Sequence, residues 1–252
     1  MEATLVAKIA FAELYRAWLL ASREKTQFLL GCAILFIFYF GYHAGATFFA
    51  HAAPSYRNTA TAYLSWMLVV NGMTYTSSEI ERDITQGTFF RVMSLCGGNV
   101  TNTIAVRTVI GFAHSLILYA IFSAIFWAAG LAPRVLSPDA DTLIILVHAA
   151  LVGAGLGLAA SGLAQVARPV QVYLLPLHLV VLVSSLLQFG GSGSSLLVDL
   201  LPLGAAPASP SGEIAFNALH AAIHAAGYLG LGSAFLAWSV RYSRRHGSAL
   251  QV

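Results

Sequence analysis

Residues 116–131, LILYAIFSAIFWAAGL, contain no charged side chain and show no alternation of polar and apolar positions. A segment that crosses a membrane has to pair all of its backbone amides, so it is either a helix or a strand of a closed barrel. Barrel strands alternate between lipid-facing and interior residues with a period of two. The run therefore predicts a transmembrane helix, and with it an all-α fold.

The composition of the whole chain agrees with a membrane protein. Its 252 residues are 58% hydrophobic and have a mean hydropathy of +0.76, whereas soluble domains are about 45–50% apolar. A transmembrane helix needs about 20 mostly apolar residues, and six stretches meet that requirement. The predicted spans are 27–50, 59–78, 101–130, 142–167, 169–189 and 214–240. They form one membrane domain, 27–240, between an N-terminal segment, 1–26, and a basic tail, 241–252.

The basic residues are distributed unevenly about these spans. Eleven of the 13 Lys and Arg residues lie on one side, and only Arg57 and Arg134 lie on the other. The positive-inside rule then places both termini in the cytoplasm. We attribute the net charge of +3 to orientation and to contact with the anionic inner leaflet of a lipid membrane, not to nucleic-acid binding.

The N-terminal segment has an amphipathic pattern, with apolar residues on one side of a helix and basic residues on the other. The apolar residues are Ala7, Phe11, Leu14, Trp18 and Ala21, and the basic residues are Lys8, Arg16 and Arg23. This pattern is typical of a helix that lies in the membrane interface. We expect an interfacial helix over 1–26, with a plain cytoplasmic extension of the first span as the alternative.

Glycine pairs with GxxxG spacing occur in two predicted spans, Gly41 and Gly45 in the first and Gly153 and Gly157 in the fourth. This spacing lets helix backbones approach closely, but it does not indicate which helices meet. Between the fifth and sixth spans, residues 190–213 are rich in Gly, Ser and Pro, which break helices. We expect a broken outer segment there, part of which dips back towards the membrane.

Residues 77–100, SSEIERDITQGTFFRVMSLCGGNV, place four charged side chains within five positions of a chain that is only 9% charged. Acidic residues early in a helix complement its dipole. The stretch predicts a short helix at the cytoplasmic surface, with charges available to a partner protein. An ordinary solvated loop is the alternative.

Glu79, Glu81, Gly87 and Thr88 follow the second predicted span and resemble the cytoplasmic signature of ABC-2 type transporter permeases. The layout is similar as well: an interfacial helix, six spans with both ends inside and a broken outer segment. The resemblance implies that segment 77–97 is a coupling helix, which sits in a groove of a separate ATP-binding subunit. The coupling residues would be Glu79, Glu81, Asp83, Gly87, Thr88 and Arg91.

The sequence has no GxxxxGKS or GxxxxGKT loop to hold nucleotide phosphates. The resemblance therefore implies that a partner binds ATP and Mg²⁺, and that this chain is a non-catalytic permease subunit without a cofactor of its own. Two copies of the chain would pair with two copies of the ATPase in a bacterial cytoplasmic membrane. The complex would export an amphipathic small molecule, a lipid, or a lipid-linked or glycan substrate. A transporter or channel that works without ATP is the main alternative.

Polar and aromatic side chains in the second and fifth spans are candidates for a translocation path. They are Tyr63, Trp66, Asn71 and Tyr75 in the second span, and Gln171, His178 and Ser185 at heptad spacing in the fifth. Polar groups at membrane depth usually face a bundle interior or a pathway. The resemblance implies that these two spans flank the path; plain hydrogen bonding between helices is the alternative.

Two histidines in the sixth span are candidates for a metal site or for a protease-like Ser-His pair. His220 and His224 have the i, i+4 spacing of metal ligands, but no third ligand is nearby in sequence, so we expect them to pack rather than to bind a metal. Ser161 and His224 superficially resemble the Ser-His pair of rhomboid proteases. Their positions along the predicted spans place them at different depths, which disfavours this alternative.

Overall fold

The computed structural model describes residues 2–23, 25–49, 56–89, 100–128, 140–167, 169–187, 200–203 and 218–246. These residues form helices, with short turns and no strand. The helices are α1 (Glu2–Arg23), α2 (Lys25–Phe49), α3 (Tyr56–Thr85), α4 (Val100–Ala128), α5 (Ala140–Val166), α6 (Val170–Leu187) and α7 (Ala218–His246). The all-α prediction is confirmed, and α2 to α7 each coincide with one predicted span.

Five of the described helices are long and apolar enough to cross a membrane, which indicates an integral membrane protein. They are α2, α4, α5, α6 and α7. Of the six helices that coincide with predicted spans, only α3, the second predicted span, is not among these five. It also runs on through Thr85, beyond the predicted end at Ser78, so that the acidic residues continue the same helix.

The lower hydropathy of α3 has a structural cause, because other helices enclose much of it. Thr59, Ser65 and Ser77 are fully buried. The hydroxyl groups of Ser65 and Ser77 donate to the carbonyl oxygens of Thr61 and Met73, each at 2.8 Å. Such hydrogen bonds remove most of the cost of burying a hydroxyl group. A helix packed among other helices can therefore be more polar than one that faces lipid.

Glycines let three helices approach closely. A Cβ atom added at Gly153 of α5 would lie 2.9 Å from Val69 Cα of α3, and one added at Gly72 of α3 would lie 3.0 Å from the Gly153 carbonyl carbon. On another side of α5, a Cβ atom at Gly155 would lie 2.6 Å from the backbone of Tyr228 in α7. The central helix α5 therefore uses different glycines to contact α3 and α7.

The other glycine pair behaves differently, although its spacing is the same. A Cβ atom at Gly41 of α2 would meet nothing within 4 Å, and one at Gly45 would meet only Leu186 Cδ2, at 3.9 Å. The expected close crossing is therefore formed by Gly153 and Gly157 but not by the α2 pair within this chain. GxxxG spacing permits a close contact without requiring one.

Contacts also fix the relative directions of the helices. His43 of α2 lies 3.1 Å from Thr59 of α3, whereas the earlier Leu35 accepts a hydrogen bond from the later Tyr63, so α2 and α3 are antiparallel. The glycine contacts show that α3, α5 and α7 are parallel, because later residues of α5 contact later residues of α3 and of α7. We call the end of the bundle where α3 finishes the charged end, and the other the aromatic end.

Residues 200–203 fold back into the bundle. The Leu203 amide donates to Ser184 Oγ of α6 at 3.0 Å, and the Tyr228 hydroxyl of α7 donates to the Leu200 carbonyl at 2.8 Å. Leu203 is only 2% exposed and packs in the core. This part of the predicted broken segment thus returns between α6 and α7, while the rest of 190–213 lies outside the described residues.

Candidate functional site

The charged residues at the end of α3 form ion pairs with two other helices. Arg107 of α4 is 2% exposed, and its Nη2 atom lies 2.6 Å from Asp83 Oδ2 and 2.9 Å from Glu13 Oε1 of α1. Its Nε atom also donates to Glu13 Oε1, at 3.1 Å. A buried charge needs partners of this kind. Arg107 therefore joins α1, α3 and α4.

A second arginine reinforces the same junction. Arg16 of α1 places its Nη2 atom 2.9 Å from Glu79 Oε2 and 3.1 Å from Asp83 Oδ1. Arg82 lies on the outer side, with its Nη1 atom 3.1 Å from Glu79 Oε1. We call Glu13, Arg16, Glu79, Arg82, Asp83 and Arg107 the charge network. Its three acidic and three basic side chains balance, so the charges compensate one another within the protein.

The predicted Gly-Thr pair ends α3. Gly87 has a φ of 68°, in the left-handed region that glycine adopts without steric cost. The Thr88 amide donates to the Asp83 carbonyl at 2.8 Å, and the Gly87 amide donates to the Ile84 carbonyl at 3.1 Å. These two bonds are the Schellman motif of a helix C-terminus. Arg91 lies outside the described residues.

Glu81 points in a different direction from Glu79 and Asp83. Its Oε1 atom accepts a hydrogen bond from the Val170 amide, at 3.1 Å, at the first residue of α6. The first amides of a helix lack partners within the helix and carry a partial positive charge, so a carboxylate there is favourable. Glu81 thus caps α6 and fixes it against the charged end of α3.

The contact between α3 and α6 continues away from the charged end. Gln171 Nε2 donates to Ser78 Oγ at 2.8 Å, and His178 Nε2 lies 3.1 Å from Thr74 Oγ1. Two predicted path residues of the fifth span therefore hydrogen-bond to the second span. The third, Ser185, is fully buried and donates to the Leu182 carbonyl in its own helix at 2.7 Å.

The predicted path residues of α3 fall into two separate places. Tyr63 is 1% exposed in a cluster of aromatic rings at the aromatic end, and its ring centroid is 5.4 Å from that of Trp66. Asn71 and Tyr75 are half-buried and lie nearer the charged end. The Tyr75 ring stacks on His114 of α4, with centroids 5.9 Å apart. The sequence did not single out His114.

Asn71, Thr74, Tyr75 and Ser78 share one face of α3, because they are spaced by three and four residues. All four are half-buried. His114 borders this face on the α4 side, and Gln171 and His178 border it on the α6 side. We call these seven residues the polar face. It offers hydroxyl, amide, imidazole and aromatic groups, and it contains no carboxylate, lysine or arginine.

The structure gives His224 a partner that the sequence did not predict. His224 Nδ1 lies 2.9 Å from His148 Nε2 of α5, while His220 is exposed. No group of three or more potential metal ligands forms among the described residues. Ser161 Oγ donates to the Gly157 carbonyl at 2.6 Å. Ser161 lies 13 residues beyond His148, which is about 20 Å along α5.

Comparisons with protein-family models, with curated proteins and with solved structures return no match to this chain.

Proposed function

We propose that this chain is the permease subunit of an ATP-driven transporter of the ABC-2 type, with two copies of the chain working with two copies of a separate ATP-binding subunit. One observation carries the proposal. The 30-residue helix α3 holds the charge network at one end and the polar face further along. A continuous helix moves as a unit, so a force applied at its end reaches the polar face.

The charge network supports a mechanical role. Asp83 is 2% exposed and Glu79 is 8% exposed, and both are ion-paired within the chain. They therefore join α3 to α1 and α4, while the surface offered to the ATPase is the exposed turn Thr85–Gly87. This arrangement refines our expectation that the acidic side chains themselves contact the partner. In the proposed mechanism they transmit movement, and the turn receives it.

The faces of α1 support a position in the membrane interface. Phe11, Leu14 and Trp18 are more than half exposed, whereas Glu13 and Arg16 point into the charge network. Apolar side chains turned away from the protein are stable where lipid covers them. We place this helix along the inner surface of the membrane, where the charge network ties it to α3.

The polar face supports a role in translocation. Buried amide and imidazole groups are costly at membrane depth unless they have partners or line a pathway. Asn71 Nδ2 is buried and has no hydrogen-bond partner among the described residues. We propose that the polar faces of two copies line the path. Their uncharged hydrogen-bonding and aromatic groups suit an amphipathic, lipid-linked or glycan substrate, and the direction of transport is outward.

The test is the composition of the native complex. The tagged chain is isolated from its own membrane in lipid nanodiscs, its partners are identified by mass spectrometry, and the particle mass is measured. We expect a nucleotide-binding subunit with a phosphate-binding loop, in a particle with two copies of each chain. A particle that transports without any nucleotide-binding subunit would support an ATP-independent transporter or channel instead.

A further inference from the structure

The end of α7 carries a line of stacked rings on the protein surface. The ring centroids of Trp238 and Tyr242 are 5.3 Å apart, and those of Tyr242 and His246 are 4.2 Å apart. The Trp238 side chain is 51% exposed, and that of Tyr242 is 39% exposed. His246 Nδ1 also lies 3.0 Å from the Tyr242 carbonyl oxygen, which fixes the last ring. The rings therefore hold one another in place while their outer sides stay accessible.

Two arginines run beside these rings. Arg241 and Arg245 are exposed and lie four residues apart, so they share one face of α7 with Trp238. The opposite side of the helix, with Leu236 and Ser239, is buried in the bundle. Helix α7 contains no Asp or Glu, and neither arginine forms an ion pair within the described part of the chain. Their charges are thus uncompensated, unlike those of the charge network.

The length of α7 places this face at the level of the lipid headgroups. Its 29 residues measure about 43 Å, whereas the hydrocarbon core of a bilayer is about 30 Å thick. Residues 218–237 contain no Asp, Glu, Lys or Arg, and their length of about 30 Å matches that core. Residues 238–246 therefore lie beyond it, at the charged end of the bundle, because α7 is parallel to α3. Tryptophan and tyrosine are favoured at this level of a membrane.

We propose that this face of α7 binds one phospholipid with a net negative charge. The site consists of Trp238, Arg241, Tyr242 and Arg245. The two guanidinium groups pair with the phosphate, whose geometry suits the N–H groups of arginine. The indole and phenol rings pack against the glycerol backbone and the first methylene groups.

Charge decides which phospholipid fits. An anionic headgroup supplies the negative charge that α7 lacks, whereas the cationic group of a zwitterionic headgroup is repelled by the arginines. The general attraction of basic residues to an anionic membrane needs no particular side chain. A site differs from it because the lipid depends on this one face. The proposal is independent of the transport function proposed above.

The experiment compares two lipids with the same acyl chains, phosphatidylglycerol and phosphatidylcholine. The full chain in detergent micelles is titrated with each lipid, and native mass spectrometry measures the first binding step. We expect the first phosphatidylglycerol to bind about 25-fold more tightly than the first phosphatidylcholine, from about fivefold for each arginine. Equal affinities would overturn the proposal and indicate ordinary lipid around the helices.

A charge-matched pair of double variants separates a site from general attraction. Replacing Arg241 and Arg245 by Gln should remove the preference for phosphatidylglycerol. Replacing Arg23 and Lys25 by Gln removes the same charge at exposed positions where α1 meets α2, at the same end of the bundle, and should keep the preference. Equal losses in the two double variants, or an unchanged preference in the first, would overturn the proposal.

A matched pair of tryptophan variants tests the rings. Trp238→Leu should weaken the first binding step of phosphatidylglycerol, because the flat ring beside the arginines is lost. Trp18→Leu changes a side chain of α1 that is 72% exposed at the same end, and it should leave this step unchanged. Equal effects of the two changes would contradict a site that includes the stacked rings.

Discussion

The two ends of α3 are held in place by different forces. At the charged end, Asp83 and Arg107 form an ion pair at 2.6 Å, with α1 as a third partner. At the aromatic end, Tyr63 lies among rings from α2 and α4, and Tyr39 and Phe126 are packed 4.9 Å apart there. An ion pair requires one particular partner, whereas aromatic packing mainly requires a matching shape.

This difference indicates which contacts specify the arrangement of the helices. A buried charge without its partner is strongly unfavourable, so the charge network defines which helices meet and at what level. The aromatic end mainly contributes apolar burial, which is less selective. We infer that α1, α3 and α4 move together at the charged end, because they cannot separate there without exposing or isolating charges.

The largest effect is expected from Arg107→Leu. This change leaves the buried carboxylate of Asp83 without its closest partner, and breaking a buried pair costs about 3–5 kcal/mol of folding free energy. The measurement is unfolding of the purified protein in micelles by a denaturant. Arg82→Leu is the control, because the Arg82 side chain is 40% exposed and the loss of a surface pair costs at most about 1 kcal/mol. Equal stability of the two variants would show that the charge network does not hold the helices.

A smaller loss of stability is expected at the crossing of α5 and α7, which lies between the charged end and the aromatic end. In Gly155→Ala the new Cβ atom would lie 2.6 Å from the Tyr228 backbone, so one helix must shift. Overpacking of this kind costs about 1–3 kcal/mol. Gly41→Ala is the matched control, since its Cβ atom meets nothing within 4 Å and alanine favours the helix. The same unfolding measurement should separate the two variants, and similar losses in both would argue against a close crossing.

The smallest effect is expected at the aromatic end, from Tyr63→Phe. The ring and its packing are kept, and only the hydrogen bond from the hydroxyl group to the Leu35 carbonyl is lost. A net hydrogen bond contributes about 0.5–1.5 kcal/mol. Tyr173→Phe, at a position that is 53% exposed on α6, gives the reference value for losing an exposed hydroxyl group. A loss at Tyr63 as large as that of Arg107→Leu would erase the contrast between the ends.

The sequence predicted the helices well, because the length of an apolar run reflects the thickness of a bilayer. It ended the second predicted span at Ser78, whereas the helix runs on through Thr85, since Glu79 and Asp83 looked like residues beyond the apolar segment. Their charges are instead compensated by Arg16 and Arg107, which belong to other helices. Pairing across such distances in sequence leaves no local pattern.

Only part of the candidate site was predicted, because its contacts also join residues that are far apart in sequence. Heptad spacing singled out Gln171 and His178, but their partners Ser78 and Thr74 have no distinctive pattern. His148 was missed because a single histidine in an apolar helix is not informative, and its partner is 76 residues away. Spacing within one helix shows which residues share a face, whereas contacts between helices depend on packing.

The most direct test of the central claim is photo-crosslinking at the turn that ends α3. A photoreactive benzoylphenylalanine replaces exposed Gln86 at the charged end or, as the control, exposed Thr47 near the end of α2 at the aromatic end. Irradiation in the native membrane should crosslink the Gln86 position to a nucleotide-binding subunit and should leave the Thr47 position without that product. If the Gln86 position crosslinked no nucleotide-binding subunit, or if both positions did so equally, the charged end of α3 would not be where an ATPase engages this chain.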